Sequence, residues 1–277
     1  MNLAEINRAF GKTAGRLLLL PPLLCATVLF QPVSAGDGAI TVPSGTILPV
    51  RLNSTLSSAK SKPGQIITGR IMQDVPLSSG AKITAGSKVI GHIVEVSPAS
   101  TGTQARISLQ FDKLVSAHQT ISISTNLRAI TSFTGVAEAQ IPTNSGAFGD
   151  NNYALPTEQV GGDVAYGFDG EVTTAINADD VVGKLLKDGV LGQVRAQEGT
   201  KCRGVIDGND SPQALWVFSS DACGVYRMSH ISLVHAGRTD PVSVIVLASD
   251  QNNLKIAAGA GLLLRVNANA QNQTTSR

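Results

Sequence analysis

The chain has 277 residues, with 22 Lys and Arg against 20 Asp and Glu, 15% charged residues, 42% hydrophobic residues and 28 glycines. That balance excludes an acidic disordered tail and a coiled coil, and the absence of a Lys/Arg-rich block excludes a dedicated nucleic-acid binder, because phosphate contacts need clustered cations. It leaves a globular chain able to bury a core.

Residues 1–35 read as a secretory signal. Arg8, Lys12 and Arg16 form a basic start, Leu17 to Phe30 an apolar stretch, and Val33, Ser34 and Ala35 the small residues of a cleavage position. The apolar stretch is short of the roughly 20 residues that span a bilayer, and Pro21-Pro22 interrupts it. The mature chain is therefore expected to begin near Gly36, to carry no transmembrane helix and to reside in the periplasm or outside the cell. Retention of the segment as a signal anchor is the other reading. Cys25 follows Leu24, where a lipoprotein signal wants a small residue, and it leaves with the signal. Cys202 and Cys223 then remain as an even pair bound for an oxidising compartment, where a disulfide is expected. Neither lies in a CxxC or beside a histidine at ligand spacing, so a metal site has no support.

Residues 36–135 show short alternating apolar runs separated by Gly, Pro, Ser and Asn, the pattern of successive strands. Ile47, Val50 and Leu52 lie in the first run, Ile66 to Val75 in the second and Lys88 to Val96 in the third. In Arg106 to Phe111 the alternation is strict, which puts Ile107, Leu109 and Phe111 on one face. Ile121 to Ser124 repeats it after a turn at Ala117 to Gln119, so Arg106 to Leu127 reads as an antiparallel hairpin. Residues 136–240 read as an insertion or a second β subdomain. Gln140 to Asp163, rich in Asn, Thr, Gly and Pro, reads as a long loop. Asn177 to Gly189 fits either a helix capped by Asn177 or a hairpin turning at Asp188-Gly189. Trp216 and Phe218, in the apolar run Ala214 to Phe218, together with Tyr226, form a possible ligand or partner platform or pack as core over the disulfide. Residues 241–267 supply closing strands, Val242 to Ala248 and Leu262 to Val266, and 268–277 a flexible polar tail.

A small residue followed by glycine precedes three of the runs, at Ser44-Gly45, Ala85-Gly86 and Ala258-Gly259. Gly45, Gly86 and Gly259 are expected at turns of positive φ that feed strands of one barrel or sandwich. If the last run returns beside the first, the barrel closes and loses its exposed edges. The fold class is thus all-β, a Gly-rich barrel or sandwich with at most one or two short helices.

Catalytic spacing is not found. Ser57-Ser58-Ala59-Lys60 matches S-x-x-K, but no S-D-N or K-T-G follows it in the mature chain. His92, His118, His230 and His235 are scattered, and Asp207-Gly208-Asn209-Asp210 lacks the glutamate of a calcium loop, with Phe218 at that place. No catalytic residue, metal or cofactor is assigned.

Val42-Pro43-Ser44-Gly45-Thr46 to Arg51-Leu52, then Pro63-Gly64-Gln65, Asp74-Val75 and Ile83 to Gly91, resembles the TrbI-like C-terminal β-barrel family of type IV secretion channels. The hairpin from Arg106 and the final run Gly261 to Val266 fit that family's next strand pair and its closing strand. Gln140 to Tyr226 has no counterpart there. The resemblance implies an exported, non-enzymatic barrel with a structural or assembly role in the bacterial cell envelope, its partners being envelope proteins or further copies of itself. The alternative is an extracellular ligand-binding module, for instance for carbohydrate, built around Trp216. A hydrolase comes third.

Overall fold

The computed structural model describes residues 41–116, 119–139, 156–167, 170–177, 179–251 and 253–268. The signal segment, His118 and the polar tail beyond residue 268 lie outside these. Strands β1 (Ile47–Leu52), β2 (Leu56–Ser57), β3 (Ile66–Ile71), β4 (Val75–Pro76), β5 (Lys82–Ile83), β6 (Lys88–Ser97), β7 (Ala105–Ser116), β8 (Gln119–Ser122) and β9 (Thr125–Thr131) precede the helix α1 (Phe133–Glu138). There follow β10 (Pro156–Gln159), β11 (Gly162–Tyr166), β12 (Glu171–Thr174), β13 (Val181–Leu186), β14 (Gly189–Val194) and β15 (Asn209–Trp216). The last are β16 (Gly224–Tyr226), β17 (Ile231–Ala236), β18 (Ile245–Ser249), β19 (Lys255–Ile256) and β20 (Gly261–Val266).

Ten strands form one large sheet in the order β16-β9-β20-β1-β3-β6-β7-β18-β17, with β8 folded back on β7. Its end strands β16 and β17 lie against each other, so the sheet is nearly closed into a barrel. Alternation along each strand fills the interior. Leu48, Val50 and Leu52 from β1 meet Leu262, Leu264 and Val266 from β20, and Ile107, Leu109 and Phe111 from β7 belong to the same buried cluster. Fully burying a side chain of this size stabilises by about 2 kcal/mol. β20 pairs with β1 on one side, Ile47 opposite Arg265 and Val50 opposite Leu262, and with β9 on the other. The terminal run therefore does return beside the first strand. Gly45, Gly86 and Gly259 have φ of 86°, 90° and 91° and each sits two residues ahead of a strand of this sheet, as the repeated small-residue-plus-Gly pattern predicts.

β10 to β15 form a second, sequential antiparallel sheet of six strands shaped as a half-barrel. It covers the outer side of β1, β9 and β20. Ile47, Ala129 and Leu263, which point away from the barrel interior, pack with Val160, Tyr166, Val172, Val190, Trp216 and Phe218. As a result every residue of β9 is buried. Two glutamines staple the sheets: Gln213 Oε1 accepts from Ile47 N at 2.9 Å, and Gln73 Nε2 donates to Val190 O at 3.0 Å.

Several expectations are corrected or resolved. Residues 181–194 form the β13/β14 hairpin and not the helix; Leu186 is paired with Gly189 across the Asp188-Gly189 turn. The expected loop Gln140 to Asp163 contains β10 and the start of β11, because polar Thr157, Glu158 and Gln159 have a partner strand from Gly162 to Ala165. The excursion from the barrel ends earlier than residue 240, since β16 and β17 belong to the large sheet. The hairpin from Arg106 is β7/β8 and stops at Ser122, after which β9 departs to pair with β20 and β16. The helix α1, the one helix among the described residues, is short and is capped by Ser132 Oγ accepting from Gly135 N at 3.0 Å.

Candidate functional site

The residues singled out by the sequence converge where the second sheet joins the barrel wall, but not as a surface platform. Trp216 is 7% exposed and Phe218 1% exposed, both within the core between the two sheets. Trp216 lies at φ 53° after a register shift in the β14/β15 pairing, and its ring packs over Gly261 of β20. A ring enclosed on both faces cannot stack on a sugar, so the platform expectation is corrected for Trp216 and Phe218. Tyr226 is half-buried; its hydroxyl accepts from Cys223 N at 3.0 Å, and burial raises its pKa. Cys202 and Cys223 form the expected disulfide, with Cα atoms 5.1 Å apart, and both are buried.

The sequence reading missed a cluster of arginines beside that disulfide. Arg128 in β9 sits where the pairing with β20 shifts register between Leu263 and Leu264, and it is 0% exposed. Its Nη2 donates to Arg195 O at 2.6 Å and Ser220 O at 3.1 Å, while Nε and Nη1 have no partner among the described residues. Burial first, and the Arg265 guanidinium second, pull its pKa down to about 10. Arg238, on the loop after β17, donates through Nη1 to Leu127 O at 3.2 Å and through Nη2 to Cys202 O and to Arg203 O, the latter at 2.8 Å. Burial and again Arg265 depress its pKa. Counter-charge is thin: Asp221 acts on Arg128 from a distance while accepting from Gln197 Nε2, and Asp207 lies 4.0 Å from Arg265. No feature of the local sequence announces this, because TNLRAIT reads as a half-wet strand until the second sheet covers it.

Two of the cavities at the junction bear on these residues. One of about 230 Å3 lies between α1, the β10/β11 turn and Tyr226; Arg227 at its rim pairs with Glu138 at 3.3 Å and with Glu158. The other, about 450 Å3, lies between the disulfide loop and β17 and includes Arg203, His235 and Arg238 in its walls.

The other motifs fall elsewhere. Ser57 and Lys60 form the turn after β2, with Lys60 N donating to Ser57 O at 3.2 Å. His92 Nδ1 and Asp112 Oδ2 are 3.1 Å apart on adjacent strands, and no described hydroxyl or thiol is bonded to that imidazole. His235 is held by the Val244 and Asp240 carbonyls, and the Asp207 to Asp210 stretch leads into β15 with Ser211 N donating to Asn209 Oδ1. Among the described residues no group of three His, Cys, Asp or Glu side chains could hold a metal, and no helix is long and apolar enough to cross a membrane.

No protein-family model matches the chain, and no curated protein matches it.

Proposed function

We propose that this chain is an exported, non-enzymatic β-barrel protein with a structural or assembly role in the bacterial cell envelope. The observation that supports this reading is the placement of β20 between β1 and β9 around an interior filled by aliphatic side chains. A barrel packed in this way is a rigid body and not a vessel for a ligand, and it agrees with the turn and strand motifs that resemble the secretion-channel barrels. The excursion β10 to β15, mounted on one wall, is the part free to vary without disturbing that body. Fractionation combined with cross-linking in intact cells tests the proposal. The expected result is a chain starting near Gly36 in the periplasmic or envelope fraction, cross-linked to envelope proteins or to itself; a cytoplasmic chain with Met1 intact would overturn it.

A ligand-binding module is the second reading, and the cavity walled by Arg203 and Arg238 favours it over a version resting on Trp216.

A further inference from the structure

The cavity of about 450 Å3 beside the disulfide loop is lined by Gly199, Thr200, Arg203, His235, Arg238 and Thr239 among others, and none of its lining residues is acidic. Its two guanidiniums come from different segments and are held in place by carbonyls. Arg203, at φ 54°, donates through Nε to Leu233 O, and its Nη1 and Nη2 have no partner among the described residues. Arg238 spans Leu127 O on the barrel wall and the Cys202 and Arg203 carbonyls on the disulfide loop. Arg238 bonds the backbone carbonyl of Arg203, so the two residues meet in the wall of one cavity. Behind them stands fully buried Arg128, one peptide bond from the carbonyl that Arg238 grips, its Nε and Nη1 without a partner among the described residues.

Arg128 is fully buried and Arg238 half-buried, and gathering like charges where water is partly excluded is costly unless an anion offsets it. Guanidinium forks recognise carboxylates and phosphates alike. A carboxylate presents its two oxygens in a single plane, whereas a tetrahedral phosphoryl group presents oxygens in several directions and suits donors arriving from separate segments. The lining donors come from two segments, Thr200 and Arg203 on the disulfide loop and Arg238 and Thr239 after β17. We propose that this cavity binds a phosphoryl group, through Arg203 and Arg238 at its walls. The volume exceeds that of the bare ion, which leaves room for the group the phosphate esterifies. This goes beyond the envelope-scaffold reading and stands or falls separately from it.

The test is calorimetric titration of the full mature chain with inorganic phosphate, with glycerol phosphate and with acetate, alongside co-sedimentation with phosphatidylcholine vesicles containing phosphatidylglycerol. Phosphate is expected to bind with a Kd of about 1 mM or tighter, and acetate at least ten-fold more weakly. Arg203→Gln, at an exposed position, should weaken phosphate binding about ten-fold while the protein keeps a cooperative melting transition. Vesicle binding that excess phosphate releases would identify a lipid headgroup as the source, and glycerol phosphate binding without vesicle binding a soluble ester; either supports the site. No phosphate binding at ~20 mM, well above that Kd, would overturn it, as would equal binding of acetate or undiminished binding by the Arg203→Gln protein.

Discussion

Gln73 Oε1 accepts the Trp216 N–H at 2.8 Å, so a side chain from the barrel's β3/β4 connection takes the place of a strand partner for the excursion's last residue. Trp216 has left the regular β14/β15 ladder, and its backbone would otherwise be orphaned in the core. The Nε2 of the same glutamine caps Val190 O, which makes Gln73 a bidentate clip between sheets. Gln73→Leu removes both bonds while leaving the N–H and the carbonyl buried, at a cost of about 2–4 kcal/mol. Chemical denaturation should register that loss, and a change below ~0.5 kcal/mol would mean that water replaces the clip.

Removal of residues 262–277 deletes nearly all of β20. β1 and β9 then lose the strand between them, and Leu262, Leu264 and Val266 leave the interior. The cooperative melting transition is expected to disappear for the whole chain. Survival of a native-like transition in residues 41–131 would show that the N-terminal strands fold without closure.

The disulfide closes a loop of sequence separation 21 between two buried cysteines. Replacing both by serine should cost about 3 kcal/mol on the chain-entropy account. Since Arg238 holds the Cys202 carbonyl, amide exchange at residues 199–204 should accelerate together with the loss of stability.

Gly86 has φ 90° and open space where a Cβ would go, whereas at Gly259, φ 91°, a Cβ would stand 3.2 Å from Phe133 Cβ. Gly86→Ala thus isolates the conformational term, about 1 kcal/mol. Gly259→Ala should cost more than Gly86→Ala by urea denaturation, and equality would mean that Phe133, itself half-exposed, yields freely.

Two limbs of the pH–stability curve have assignable causes. The Asp74 carboxylate accepts from Lys82 Nζ at 2.6 Å and from Ala85 N at 2.8 Å, and these bonds, that to Lys82 foremost, hold its pKa below the usual carboxylate range. Its contribution is present above the unfolded-state value of about 4 and is lost as pH falls through the lower folded-state value. Both side chains are substantially exposed, so Asp74→Asn should cost under ~1 kcal/mol at neutral pH and flatten the acid limb. On the alkaline side, burial raises the pKa of Tyr226, so its stabilisation is present below about pH 10 and is lost as pH rises through the folded-state value. Phenolate absorbance should therefore develop later in the folded protein than in urea.

The barrel was largely legible in the sequence because its strands have one face in the core. Ile107, Leu109 and Phe111 alternate with Arg106 and Gln110, and the glycines ahead of β1, β6 and β20 mark where the chain must turn. The closing strand was legible instead from its Ala258-Gly259 turn and the apolar run Leu262 to Leu264, although it is buried on both faces. β9 was not, since Asn126 and Arg128 lie under a second sheet that no local pattern reveals. β10 was hidden by Thr157, Glu158 and Gln159, residues whose strand conformation comes from pairing and not from propensity. The cysteine pair followed from parity and compartment. The arginine cluster did not, because Arg128, Arg203, Arg238 and Arg265 come from four separate segments and only the tertiary fold assembles them.

The interposition of β20 between β1 and β9 also dictates an order of events. Ile47 waits opposite a gap until Arg265 has been made, so a chain emerging from the ribosome cannot complete the sheet while its end is still being synthesised. Closure of the sheet depends on contacts distant in sequence, and slow folding is the expectation. Under the proposed export, that slowness would favour translocation ahead of folding, because the sheet cannot close without its last strand.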